Sequence, residues 1–194
     1  MTQLVPLSSE KHANLRVMPG ANTKRPSGQQ VLPLVVHEFP QAGSEFPIVF
    51  IKNSETGQFQ VVALLGLSQG ENLMLKDGEW TASYLPGVIS TDPFRLLKTD
   101  PNSDQMAIGV DVESALVSET QGEALFDDAG KPTPYLDQRR EFLTRQYEFG
   151  QVTQGYVAML VELELLTPQE LSIELEGVKS TINGIYLVSE AKLR

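Results

Sequence analysis

The sequence contains no cysteine, which excludes disulfide bonds, thiolate metal sites, iron–sulfur clusters and a cysteine nucleophile. Histidine is nearly as scarce, because His12 and His37 are the only two and belong to unlike sequence contexts. The close histidine pairs of many zinc and iron sites are therefore missing. No phosphate-binding loop, dinucleotide fingerprint, nucleophile elbow or HExxH motif is present either. We predict no cofactor, and a non-enzymatic function is favoured over an enzymatic one.

Long apolar runs are also missing. The two longest, residues 61–67 and 157–166, are interrupted by glycine or glutamate, and both are far shorter than the roughly 20 residues that cross a membrane. Residues 1–10 lack the basic start and the apolar stretch of a secretory signal. We therefore expect neither a membrane span nor a signal peptide. The cytoplasm is the default location, and surface association by signal-less export stays open.

Basic residues are too few to balance the acidic ones: 15 Lys and Arg stand against 25 Asp and Glu, a formal net charge of −10. The charge is unevenly spread, since residues 1–36 carry a balance of +3 and leave −13 for residues 37–194. A nucleic-acid backbone would be repelled by such an acidic body. We therefore expect no nucleic-acid partner, and we expect an unidentified protein or peptide partner instead.

What the chain does contain is the composition of a globular protein, with 41% hydrophobic and 21% charged residues. Residues 1–30 show little hydrophobic periodicity and predict an extended or flexible N-terminal arm, followed by a single α+β domain over residues 31–194. Strand-length apolar runs recur in that domain, and turn sequences join two pairs of them into hairpins. The runs cover residues 31–36, 46–52, 58–65, 72–76, 79–83, 94–97, 106–112, 171–176, 178–182 and 184–188. We predict a mainly antiparallel sheet of short strands.

The strongest helical pattern extends from Pro134 to Leu166. One apolar row recurs there at every seventh position and consists of Tyr135, Phe142, Phe149, Tyr156 and Leu163. A coiled coil needs a second apolar row, but the positions four residues further on are Arg139, Gln146, Thr153 and Leu160. Further apolar residues widen the row into a face, namely Leu136, Leu143, Val152, Met159, Leu160 and Leu166. We therefore predict one long helix packed on the sheet. At 1.5 Å per residue it would be about 50 Å long, so we expect a kink or break near Gly150 or Gly155.

One candidate site is aromatic. Trp80, Tyr84 and Phe94 occur close together in the sequence with two prolines among them. Such residues could line a groove that binds a peptide, because rigid aromatic rings provide contact area at little entropic cost. The alternative is that these rings simply belong to the hydrophobic core.

A second candidate site is the acidic segment 111–128, which contains no basic residue. Its carboxylates could bind a hard divalent cation or act as an acid and base pair, and the residues concerned are Asp111, Glu119, Glu123 and Asp127. Their spacing matches no EF-hand loop, and a solvated acidic loop is the alternative interpretation. A carboxylate-based, metal-dependent enzyme is thus the alternative function. A self-associating structural subunit, a homo-oligomer built through the long helix, is a further alternative.

Several stretches together resemble the SapC family of bacterial proteins. They are MTQLVPLSSEKHANLRV, FPIVFIK, GQFQVVALLGLSQGENL, YLPGVISTDPF and LVSETQGEALFDDAGKPTPYL. The resemblance extends over nearly the whole chain and brings no catalytic motif with it. It implies a link with bacterial surface-layer gene clusters, and the lack of a membrane span separates the chain from a peptide-transport permease of the same name. A non-enzymatic accessory or binding protein, linked to surface-layer or peptide export and uptake systems, is the function that this resemblance implies.

Overall fold

The computed structural model describes residues 3–20, 26–98, 105–175 and 178–193. It confirms the α+β class, because antiparallel sheets are combined with one long helix. The strands are β1 (Leu4–Pro6), β2 (Arg16–Val17), β3 (Val31–Pro33), β4 (Ile48–Lys52), β5 (Phe59–Leu64), β6 (Leu75–Lys76), β7 (Glu79–Trp80), β8 (Phe94–Lys98), β9 (Met106–Asp111), β10 (Val117–Ser118), β11 (Glu123–Ala124), β12 (Leu166–Leu175) and β13 (Val178–Val188). The α-helices are α1 (Ser9–His12), α2 (Phe39–Ala42), α3 (Gly87–Ser90) and α4 (Pro134–Glu162), and short 3-10 helices cover Val36–Glu38 and Glu190–Lys192.

Contacts divide the chain into two compact units. The first unit comprises residues 1–22 and 89–148, and the second comprises residues 23–88 and 149–194. The boundary between Glu148 and Phe149 falls inside α4, so each unit includes about half of that helix. That residues 31–194 fold as a single domain stays a prediction.

The first unit contains two small antiparallel sheets, in the strand orders β1-β9-β8 and β10-β2-β11. Its core consists of Val17, Phe94, Ile108, Val110, Leu125, Leu136 and Leu143. Residues 3–20 contain two short strands and a helical turn. Val17 is buried there, and Val5, Leu7 and Leu15 lie against the same core. The N-terminal arm over residues 1–30 stays a prediction.

The second unit is built on a five-stranded antiparallel sheet in the order β12-β13-β4-β5-β3. Both predicted hairpins are present in the second unit, β4-β5 within this sheet and β6-β7 as a separate two-stranded sheet. Asn53 Oδ1 accepts hydrogen bonds from the amides of Glu55 and Thr56 in the loop between β4 and β5, as asparagine commonly does in turns. Asp77 and Gly78, which join β6 to β7, both have positive φ angles of 53° and 81°, the conformation that a two-residue hairpin turn requires.

Helix α4 packs on the sheet as predicted, because Val157 and Leu160 form a buried cluster with Phe50 and Val61 of β4 and β5. The expected break is wrong, since the helix continues without interruption for 29 residues, and a kink near Gly150 or Gly155 stays a prediction. Gly150 and Gly155 lie inside it, and each costs only about 1 kcal/mol of helix propensity relative to alanine. The length is compatible with the fold because neither unit has to cover the whole helix. None of the helices that the structure describes is long and apolar enough to cross a membrane.

Candidate functional site

The most highly connected polar group in the second unit is the carboxylate of Glu38, which is only 6% exposed. Oε2 accepts a hydrogen bond from the amide of Val35 at 2.9 Å. Oε1 accepts two more, from the Tyr84 hydroxyl at 2.7 Å and from the Gly87 amide at 2.7 Å. Three donors therefore converge on one buried carboxylate, and the group fastens the segment before α3 to the segment before α2.

Glu38 is held in place by the second half of α4. The amide of Val36 donates to the buried Thr153 hydroxyl at 3.0 Å, and that hydroxyl donates to the Phe149 carbonyl at 2.7 Å. The ring of His37 stacks on Phe149 with 3.7 Å between their centroids. Every residue of the 3-10 helix Val36–Glu38 thus has a specific partner, which makes the position of the carboxylate well defined.

Two of the three predicted aromatic residues belong to this cluster. The indole Nε1 of Trp80 donates to the main-chain carbonyl of Tyr84 at 2.9 Å, and its ring meets Phe46 edge to face with 6.0 Å between centroids. Phe46 is buried, whereas Trp80 and Tyr84 are half-buried. We call Trp80 and Tyr84 the aromatic platform, because both rings are fixed by hydrogen bonds and both keep part of their surface in solvent.

An open depression of about 400 Å³ borders the hairpin that carries Trp80. Its lining residues are Ser27, Gly28, Gly70, Asn72, Leu75 and Gly78. Leu75 is the cross-strand partner of Trp80, so the hairpin contributes both to the platform and to the depression. Glycine is required at Gly28, Gly70 and Gly78 by positive φ angles of 75°, 84° and 81°. A shallow surface with small side chains beside fixed aromatic rings is suited to binding an extended segment.

The Tyr84 hydroxyl gives this cluster a pH dependence. Burial raises the pKa of Tyr84 above its ordinary value of 10.0, and the hydrogen bond to Glu38 and the charge of its carboxylate raise it further. In the unfolded chain the phenol ionises near pH 10, whereas in the folded chain it stays protonated. The contribution of the protonated Tyr84 phenol to the free energy of unfolding is therefore complete below about pH 10, and it decreases as the pH rises above that value.

We expect the free energy of unfolding to decline more steeply above pH 10 in the wild-type protein than in the variant Tyr84→Phe. Urea unfolding between pH 8 and about pH 11 measures both curves. Burial also raises the pKa of Tyr135, but that residue is present in both proteins and cancels in the difference. Parallel curves would contradict a role for the Tyr84 proton.

Phe94, the third predicted aromatic residue, belongs to the first unit. Its side chain is 0% exposed and lies in the core with Val110, Leu125 and Leu136. No part of the ring is open to a ligand. Phe94 is therefore a core residue, which is the alternative interpretation that the sequence left open for the aromatic group.

The acidic segment does not form a cluster. Asp111 Oδ1 accepts hydrogen bonds from the amides of Gln3 and Glu113 at 3.0 and 3.2 Å, and Asp127 Oδ1 closes a turn by accepting from the amides of Ala129 and Lys131. Glu119 and Glu123 are exposed. Within residues 3–20, 26–98, 105–175 and 178–193, no three carboxylates or imidazoles are placed to hold a metal ion together. The carboxylate-based reaction stays a prediction.

The first unit contains polar groups that the sequence did not indicate. The guanidinium of Arg139 donates through Nη2 to the Ser90 carbonyl at 2.5 Å and lies 4.8 Å from the centre of the Phe142 ring. Burial lowers the pKa of Arg139. Asp92, which is also buried, accepts from the Ser114 hydroxyl at 3.2 Å and lies 3.8 Å from the Arg95 guanidinium. These contacts join surface segments to the core of the first unit.

The family comparison covers both units. The SapC family model matches residues 7–194. The chain belongs to the SapC family. Searches of curated proteins and of solved structures found no match. Within this SapC protein, the matched range includes Glu38, the aromatic platform, the acidic segment and the whole of α4.

Proposed function

We propose that this SapC protein is a non-enzymatic accessory protein that binds an extended peptide or protein segment at the aromatic platform. The observation that carries the proposal is the arrangement of Trp80 and Tyr84, which are only partly buried while their polar atoms are fixed by hydrogen bonds. A ring that is already immobilised loses little conformational entropy on binding. Aromatic residues of this kind are enriched among the residues that dominate binding energy.

The second support for a binding function is the chemistry that surrounds the platform. Glu38 has three donors and acts as a structural acceptor. His37 stacks on Phe149 and has no acidic partner among its described contacts. No described nucleophile lies beside a base in this cluster, which is the arrangement that covalent catalysis requires. Binding is therefore the activity that this geometry favours.

The biological setting belongs to the same proposal. We propose that the protein acts in surface-layer assembly or in export and uptake of peptides, with a segment of an envelope protein or a transported peptide as its ligand. The acidic character of residues 37–194, with a net charge of −13, favours a neutral or basic segment over an acidic one.

The test is selection from a library of random displayed peptides by the immobilised wild-type protein, followed by affinity measurements on the selected peptides. Trp80→Ala is expected to lower affinity at least about tenfold, because it removes the larger ring of the platform. Tyr84→Phe keeps the ring and is expected to retain most of the affinity. Leu193→Ala, at an exposed position outside the platform, is the matched control.

The same variants applied to lysate and envelope fractions of the native host identify the natural partner. A partner that is retained by the wild-type protein and by Leu193→Ala but lost by Trp80→Ala would support the proposed site. Equal retention by all the variants, with the fold verified by circular dichroism, would exclude the platform as the binding site.

A further inference from the structure

In the second unit, the apolar face of α4 is wider than the surface that the sheet covers. Val157 and Leu160 are buried against β4 and β5. On the neighbouring flank, Val152 and Met159 of the helix and Leu163, the first residue after its end, are 54%, 47% and 57% exposed. A contiguous row of exposed large apolar side chains usually marks an interaction surface rather than ordinary solvent-facing helix.

The exposed residues continue into two rings that are already partly fixed. Phe149 stacks on His37, and Tyr156 meets Phe39 edge to face with 6.1 Å between centroids. In order, the row is Phe149, Val152, Tyr156, Met159 and Leu163, with alternating spacings of three and four residues. We call these five residues the open seam. This spacing is that of the a and d positions of a coiled coil, which pack against one partner helix.

The charges around the open seam indicate what kind of helix it fits. Between Arg145 and the end of α4 the sequence contains two glutamates, Glu148 and Glu162, and no lysine, arginine or histidine. Glu162 occupies the position next to Leu163 on the flank that faces solvent, where coiled coils place the charged residues that select a partner. Beyond the end of the helix, Lys192 donates to the main-chain carbonyl of Glu164 at 2.7 Å. The acidic flank favours a partner with basic flanking residues.

The same charges disfavour a second copy of this chain. Two antiparallel copies would bring their acidic flanks together, which is repulsive. Two parallel copies would place Glu162 opposite the column of Thr153 and Leu160, which is buried within each protein. A homodimer through the open seam therefore has no favourable arrangement of charges.

We propose that the open seam docks an amphipathic helix of a partner protein, with its apolar seam on Val152, Met159 and Leu163 and with lysine or arginine facing Glu162. This surface uses none of the residues of the aromatic platform. It goes beyond the proposed function and does not depend on it.

Two synthetic amphipathic peptides with identical apolar heptads test the proposal, one with lysine and one with glutamate at the flanking positions. Binding to the full chain is measured by fluorescence anisotropy at low and at moderate salt. The lysine peptide is expected to bind, more weakly as salt increases, and the glutamate peptide is expected not to bind. In the double variant Met159→Ser with Leu163→Ser, affinity for the lysine peptide is expected to decrease at least about tenfold.

Three controls make the test specific. Val161→Ser removes an apolar side chain that is 43% exposed on the same helix but outside the open seam, and affinity is expected to stay unchanged. Glu162→Lys is expected to lower the affinity for the lysine peptide and to allow the glutamate peptide to bind. Trp80→Ala is expected to leave both results unchanged, so this proposal and the platform can fail separately.

Failure of the lysine peptide to bind, or equal binding of both peptides, would overturn the proposal. An equal loss of affinity in Val161→Ser and in the double variant would also overturn it, because binding would then not involve the open seam. Light scattering measures whether the protein dimerises. If the wild-type protein were a homodimer and the double variant a monomer, a second copy of this chain would occupy the open seam, and the proposal would be overturned.

Discussion

Replacing Glu38 with alanine is expected to lower the free energy of unfolding by about 3 kcal/mol. The substitution leaves the Val35 amide, the Tyr84 hydroxyl and the Gly87 amide without their acceptor. An unsatisfied buried donor costs about 1–3 kcal/mol, and partial entry of water offsets some of the total. For a chain of this length the melting temperature should decrease by about 6–12 °C. Urea and thermal unfolding followed by circular dichroism measure both quantities.

Two further variants separate the hydrogen bonds of Glu38 from its charge. Glu38→Gln keeps one oxygen for Tyr84 and Gly87 but turns an amide group toward the Val35 amide, so an intermediate loss of stability is expected. Glu55→Ala removes an exposed carboxylate and should change the free energy of unfolding by no more than about 0.5 kcal/mol. If Glu38→Ala were as stable as Glu55→Ala, the buried carboxylate would not hold this region together.

The parts of the fold that local chemistry decides could be predicted from the sequence. The hairpins are examples, because Asn53 to Gly57 and the pair Asp77 and Gly78 contain turn residues whose conformational preferences act within four or five positions. The strands of the second unit are apolar and β-branched, which predicts a buried sheet. The order of those strands was not predictable, because β13 lies between β12 and β4, and pairings between distant segments leave no local pattern.

The long helix shows where a periodic pattern misplaces the core. The predicted row at every seventh position is only half-buried from Tyr135 to Tyr156, and Leu163 is exposed. The buried positions are Leu136, Leu143, Thr153, Val157 and Leu160. The predicted apolar face includes Leu136, Leu143 and Leu160 but not Thr153 or Val157. The polar residue Thr153 obscured this face in the sequence, because its hydroxyl can be buried only with partners that include the amide of Val36, a residue far away in the chain. The predicted apolar face also includes Val152 and Met159, but no local pattern shows which flank of that face the sheet leaves exposed.

Only part of the candidate site could be predicted from the sequence, again because contacts between distant residues determine the rest. Trp80 and Tyr84 attract attention because aromatic residues are rare in this chain, at 7%. Glu38 carries no such signal, since its importance comes from donors that are 46 and 49 residues away. In the acidic segment the sequence shows charge density, but the structure uses Asp111 and Asp127 locally to accept from nearby amides. Composition identifies residue types, and tertiary contacts determine which of them share a site.

Phe94→Ala is expected to lower the free energy of unfolding by about 3–5 kcal/mol, which is the usual range for removing a buried phenylalanine. The ring is 0% exposed and packs in the core of the first unit, and the Arg139 guanidinium lies 5.9 Å from its centre. Truncation would therefore leave a cavity and would also expose one face of a partly desolvated cation. Urea unfolding of the wild-type protein and the variant measures the loss.

A core function for Phe94 is distinguished from a ligand-binding function by what the milder variants do. Phe94→Leu refills most of the cavity, so it should lose much less stability than Phe94→Ala and should retain peptide affinity at the aromatic platform. Tyr147→Ala removes an aromatic ring that is 42% exposed on the same unit's part of α4, and we expect a change of no more than about 1 kcal/mol. If Phe94→Leu instead abolished peptide binding while the unfolding curve stayed unchanged, the ring would contact the ligand, and its complete burial would have to be relieved when the ligand binds.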